Sequence, residues 1–138
     1  MQIKRSASAV WNGSGKEGTG NITSQSGVLS NTQYSFNTRF ADGIGTNPEE
    51  LIAAAHAGCF SMKLAFNLQG AGFTADEIKT DAVVILEDGG INKINLTTAV
   101  KAPDLSLEKL TELALDAKAN CPISALFKAE IALDITLL

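Results

Sequence analysis

Cys59 is the residue of this chain in the most reactive company. His56 stands three residues before it and Lys63 four after it, spacings that make all three neighbours on one side of a helix. A thiolate is a soft nucleophile and a ready target for peroxides. A cysteine in apolar surroundings, however, keeps its proton, because burial disfavours the charged form and raises the pKa above its free value of about 8.5. Reaction therefore needs a cation nearby. Besides His56, the chain's only histidine, and Lys63, the sequence offers Arg39, one short loop upstream. Each has a plain reading as well: a satisfied core histidine, a lysine reaching solvent, an arginine paired with a surface carboxylate. Spacing alone stops at a candidate reactive cysteine.

The second cysteine, Cys121, lies far away in Asn120-Cys121-Pro122. Two distant cysteines make neither a Cys-x-x-Cys redox motif nor a four-ligand zinc site, and no metal is expected. Met1-Gln2-Ile3-Lys4-Arg5-Ser6 leads straight into a polar segment with no apolar signal core, so a cytoplasmic protein with reduced thiols is expected. In such a chain both cysteines can equally be small buried hydrophobes. A net charge of −4 without a basic cluster argues against nucleic acid as a partner. The run from Leu51 to Leu68 is interrupted by His56, Ser61, Lys63 and Asn67, which makes it a poor membrane span and a fitting core helix.

That helix is the element that must position Cys59. Asn47 is its N-cap, Pro48 its first residue, and Glu50 completes a capping box, which leaves Glu49 without a capping role. The helix is expected to run to Gln69, where Gly70 and Gly72 stop it. One broad face holds Ile52, Ala55, His56, Cys59, Met62, Lys63 and Phe66, and the opposite side (Ala53, Ala57, Phe60, Leu64, Leu68) is just as apolar. A helix apolar all round must be covered all round. One small sheet covers one side, so a dimer is expected to supply the other.

Around it, 138 residues with 45% hydrophobic and 19% charged side chains describe one globular domain, 1–138. Strands are expected at residues 2–11, 16–23 and 33–40, the last with Tyr34, Phe36, Thr38 and Phe40 on one face and Arg39 on the other. Asp88-Gly89-Gly90 joins two long alternating runs, Phe73 to Glu87 and Ile91 to Ala102, into a hairpin. Ser106 caps a second helix that Pro122 ends. Glu130 to Leu138 alternates as a last strand. The order β-β-β-α-β-β-α-β defines an α+β fold without internal repeats.

Several runs carry a further signal. Phe36-Asn37-Thr38-Arg39-Phe40, Gly45-Thr46-Asn47-Pro48-Glu49-Glu50-Leu51-Ile52, Ala54-Ala55-His56-Ala57-Gly58-Cys59-Phe60-Ser61, and Asn120-Cys121-Pro122-Ile123-Ser124 with Lys128-Ala129-Glu130-Ile131 together resemble the osmotically inducible protein C family. Trp11 and Ser26-Gly27-Val28-Leu29 fit as well, so the resemblance spans essentially the whole chain. It implies antiparallel sheets packed around a long buried central helix, in an intertwined homodimer. It also implies a thiol-dependent peroxidase acting on organic hydroperoxides and hydrogen peroxide in oxidative and osmotic stress. By that resemblance Cys59 is the peroxidatic cysteine, Cys121 the resolving one, and Arg39 with Glu49 the pair that orders the site. No bound cofactor is implied, only an external dithiol reductant, of lipoyl type in the sister branch. Two other readings stay open: a non-catalytic dimeric protein that binds a small ligand or serves a structural role in stress, and a cysteine hydrolase using His56. The hydrolase lacks an evident third residue to orient the histidine.

Overall fold

Three antiparallel strands open the chain in the spatial order β1 (Ala7–Asn12), β2 (Thr19–Ser24) and β3 (Thr32–Tyr34). Gly20 of β2 lies opposite both Trp11 and Tyr34, whose rings meet above it with centroids 5.3 Å apart. A Cβ at Gly20 would come within 2.6 Å of the Trp11 ring, so this aromatic contact requires glycine. The computed structural model describes residues 1–138, which fall into two compact units, Met1–Leu51 and Ile52–Leu138.

Within the first unit, the strand expected over residues 33–40 ends at Tyr34, and Phe36–Phe40 form a short helix, α1. Local hydrogen bonds outweigh the alternation of aromatic residues. The Ser35 Oγ accepts from the Thr38 amide (3.2 Å) and the Thr38 Oγ1 accepts from the Ser35 amide (2.8 Å), a reciprocal cap that an extended chain cannot make. The predicted face changes accordingly. Phe36 and Phe40 stack one turn apart at 4.9 Å, and the Arg39 guanidinium lies over the Phe40 ring at 5.1 Å.

The long helix α2 (Pro48–Gly70) starts at the end of this unit. Asn47 caps it as expected, its Oδ1 accepting from the Glu50 amide at 2.7 Å. The box closes differently, because the Glu50 carboxylate takes the Thr46 hydroxyl at 2.8 Å instead of the Asn47 amide. At the far end Gly72 adopts φ +90, and the Phe73 amide reaches back to the Leu68 carbonyl at 2.8 Å, a Schellman-type stop.

The second unit carries the remainder of α2 with β4 (Glu77–Glu87), β5 (Gly90–Lys101), α3 (Leu107–Asn120), α4 (Pro122–Leu126) and β6 (Glu130–Leu137). Asp88 and Gly89 both take left-handed φ (52 and 77), the conformation a two-residue hairpin of this hand demands. Ser106 caps α3 through its Oγ and the Lys109 amide. The α+β class stands, with the short α1 added. The antiparallel pattern holds for the first sheet and for β4–β5, but β6 pairs parallel to β5, Lys93 opposite Glu130 through Val100 opposite Leu137. Parallel neighbours need a crossover, and α3 with α4 provides it.

Phe60, Leu64 and Leu68 of α2 are fully buried with Ile94, Leu96 and Val100 of β5 and Leu110, Ala114 and Ala117 of α3. These α2 residues recur every four positions and continue the stripe begun by His56, which is also buried. Within one chain the rest of the helix is not covered. Ala54, Ala55, Gly58 and Ala65 are exposed, as are Met62 (64%) and Phe66 (63%). By length and composition alone α2 could cross a membrane. In this chain one of its faces is core and another is uncovered.

Candidate active site

The second unit brings Cys59 and Cys121 together. Cys59 projects from the middle of α2, and Cys121 occupies the single residue between α3 and α4. There its amide still closes the last turn of α3 on Ala117 (2.9 Å), while Pro122 starts the next helix. Proline tolerates the first helical position and pushes the residue before it out of the helical region, so Cys121 is held extended at φ −61, ψ 128. The two Sγ atoms stand 2.8 Å apart and both cysteines are free thiols. Cys121 is fully buried and Cys59 half-buried.

Two thiols this close lose their protons as a pair. Burial pushes the Cys59 thiol up. Its hydrogen bond with Cys121 pushes the same way, the Ile123 amide pulls back less strongly, and the charge at Cys121 adds the smallest push upward. Burial also works against the Cys121 thiolate, but hydrogen bonds from Cys59, from the Ser124 amide and hydroxyl, and from the Ile123 amide outweigh it and bring its pKa down. The sulfur makes no regular cap bond to α4, so these amides act at longer range. With both thiols protonated Cys121 donates to Cys59. Cys59 also opens on an apolar cavity of about 240 Å³, lined with Met62, Lys63, Phe66 and Pro122.

His56 does not serve Cys59 as a general base. Its Nε2 pairs with the Ser124 Oγ at 2.7 Å, its ring edge meets Phe127 at 5.3 Å, and burial lowers its pKa so that the ring is neutral near pH 7. The Nδ1 has no partner. Ser124 has no assigned role in the sequence reading, although a signal for it exists. His56 is one turn before Cys59 on α2 and Ser124 is one turn after Cys121 on α4, so two helices meeting at their cysteines also meet at these residues.

Arg39 and Glu49 are brought together in the first unit. The Arg39 Nε donates to the Glu49 Oε1 at 2.8 Å, the arginine 42% exposed and the carboxylate 11%. Only Nε is used, which leaves the terminal guanidinium nitrogens without a hydrogen bond within the chain. The Glu49 Oε2 is buried without a partner. Glu50 is spent at the helix start, as its spacing implies. No three His, Cys, Asp or Glu side chains cluster anywhere in the chain.

Residues 41–136 match the family described as OsmC-like protein, a span that includes Glu49, His56, Cys59, Cys121 and Ser124. The chain belongs to the OsmC-like family. Among its OsmC-like relatives is the Peroxiredoxin OsmC of Escherichia coli, 47% identical over 99% of both chains. The Organic hydroperoxide resistance protein OhrB of Bacillus subtilis is 33% identical over 86% of this chain and 88% of its own. The crystal structure of that OhrB superposes with a TM-score of 0.65 at 31% identity, covering 96% of this chain and 98% of its own. An OsmC-like protein from Mycoplasma pneumoniae superposes with a TM-score of 0.79 over 100% and 99%; at 16% identity it speaks for the OsmC-like fold alone.

Proposed function

We propose that the protein is a cysteine-based peroxidase that reduces organic hydroperoxides, and hydrogen peroxide, in defence against oxidative and osmotic stress. The observation that carries this reading is the pair of free thiols 2.8 Å apart, one half-buried beside an apolar cavity and the other enclosed. The names of the relatives point the same way. In this reading the Cys59 thiolate attacks one peroxide oxygen and the O–O bond breaks. The alcohol leaves with a proton, and Cys59 becomes a sulfenic acid. The Cys121 thiolate then attacks that sulfur, expelling hydroxide, which is protonated to water, and leaves a Cys59–Cys121 disulfide. An external dithiol, of lipoyl type by family analogy, returns both thiols by exchange. No prosthetic group is needed. Met62, Phe66 and Pro122 favour an alkyl or lipid hydroperoxide over a small polar one.

Arg39 is the cation proposed to stabilise the Cys59 thiolate, with Glu49 orienting it. The role rests on the family resemblance and on the Nε–Oε1 pair that leaves the rest of the guanidinium unengaged. Arg39→Ala should move the alkylation of Cys59 to higher pH by roughly one unit. An unchanged profile removes Arg39 from the site.

The uncovered stripe of α2 supports a homodimer in which a second copy covers Ala55, Met62 and Phe66; a one-chain mass by light scattering would refute it. Near-complete coverage by relatives supports one functional domain over 1–138, and a cytoplasmic location is part of the same proposal. The decisive experiment adds cumene hydroperoxide to the reduced protein. Intact mass should fall by two hydrogens per chain as the disulfide closes, whereas a ligand-binding or structural protein keeps both thiols.

A further inference from the structure

Behind the two cysteines lies a buried chain of polar groups that the peroxidase chemistry leaves unused. His56 is fully buried, Ser124 is 5% exposed, and their 2.7 Å hydrogen bond joins α2 to α4 across the core. Ser124 sits one turn beyond Cys121 at the start of α4, and its hydroxyl is among the groups that pull the Cys121 thiol down. Two bonded pairs, His56 with Ser124 and Cys121 with Cys59, thus lie side by side where α2 meets the start of α4, within a single unit. A neutral histidine buried with one nitrogen unpartnered is costly to keep, since a buried polar group without a partner loses its hydration uncompensated.

We propose that Ser124 and His56 are positioning residues for Cys121: His56 holds the Ser124 hydroxyl, Ser124 donates to the Cys121 sulfur, and Cys121 is thereby made the thiolate that attacks and later leaves, directing the incoming dithiol onto Cys59. This rests on the peroxidase reading. In the reductive half, a reductant thiolate attacks the Cys59 sulfur, the S–S bond breaks, and its electron pair goes to Cys121. The second reductant thiol then attacks the mixed disulfide, closing a reductant disulfide and freeing Cys59; two electrons pass from dithiol to protein. Attack falls on the accessible sulfur, and the better-stabilised thiolate departs. Cys59 is the half-exposed member and Cys121 the enclosed one.

The titratable groups facing Cys121 are few. α2 brings Cys59 and, through Ser124, His56, with Lys63 farther along the cavity that Cys59 and Pro122 line. α4 brings none. On α3, Asp116 is exposed and bonded to Asn67 and Asn120, and Lys118 is half-buried; on β6, Glu130 and Asp134 are exposed. None of these four figures among the groups that shift Cys121.

The test titrates the thiolate absorbance of Cys121 in Cys59→Ser, with and without Ser124→Ala or Ser124→Thr. The alanine should raise the titration so that about tenfold less thiolate is present at neutral pH, and threonine, which keeps the hydroxyl, should restore it. In protein oxidised with diamide, Ser124→Ala should slow reduction by dithiothreitol threefold to tenfold near pH 7, and a monothiol should be trapped on Cys59. An unmoved titration, a threonine variant as perturbed as alanine, or an adduct on Cys121 would overturn the proposal. If Ser124→Ala does not fold, His56→Leu is titrated instead; a shift in the same direction is expected, and none refutes the role. Neither arm uses peroxide, so a protein that consumes none would fail as a peroxidase while these measurements still decide the role of Ser124 and His56.

Discussion

Replacing Cys59 with serine is expected to end peroxide consumption, lowering turnover with dithiothreitol by roughly a thousandfold or more, the scale on which loss of a catalytic nucleophile is felt. The serine hydroxyl is close to isosteric with the thiol and can still meet Cys121, so the packing of α2 against β5 and α3 should survive. What is lost is a polarisable sulfur that ionises within reach of neutral pH. Cys121 cannot substitute for it. Its thiolate is the better stabilised of the two, but the side chain is fully buried between α3 and α4. Retained consumption in Cys59→Ser would sink the assignment of the nucleophile.

Cys121→Ser should separate the two halves of the cycle. One equivalent of hydroperoxide should still be consumed, leaving a sulfenic acid seen as a gain of about 16 Da and trapped by dimedone. Disulfide closure is impossible, and sustained turnover should fall at least tenfold because the reductant has no disulfide to exchange with. The structure adds a less obvious expectation. The hydrogen bond and the charge of Cys121 both raise the Cys59 pKa, so their removal should let Cys59 ionise at lower pH. First-turnover oxidation should therefore be at least as fast as in the unmodified protein below neutral pH. A slower first turnover would mean that Cys121 helps the attack instead of competing for the charge.

The features readable in the sequence are those whose physics is local. Asn47, Pro48 and Gly72 bound α2 within a residue or so, Asp88-Gly89 sets its hairpin, and Ser106 starts α3, because a cap or turn depends on a handful of adjacent residues. Residues 36–40 were misread for the same reason in reverse. Their aromatic alternation competes with a Ser35–Thr38 cap that lacks the usual Glu or Gln at its third position. The alternation of Ile131, Leu133, Ile135 and Leu137 marks a strand but carries no direction, and the parallel pairing of β6 follows only from the helices that precede it. Within the site, Cys59 and Cys121 stand out as residue types in motifs, and Arg39 with Glu49 as an expected pair. The bond from His56 to Ser124 joins residues 68 positions apart, and their one-turn spacings from Cys59 and Cys121 point to it only once those two cysteines are known to meet.

The parallel pairing of β5 and β6 also orders events in time. α2 is complete, with Cys59 in place, long before the ribosome reaches Cys121, which lies in the very crossover that must fold before β6 can dock. Until the segment from Lys93 to Glu130 closes, Cys59 is a lone thiol with no second sulfur to receive an oxidised intermediate. A newborn chain that meets peroxide in that interval must rely on some other thiol to rescue its sulfenic acid, or be carried further up the oxidation ladder. The topology thus leaves the growing chain without its own second sulfur until its C-terminal part has folded.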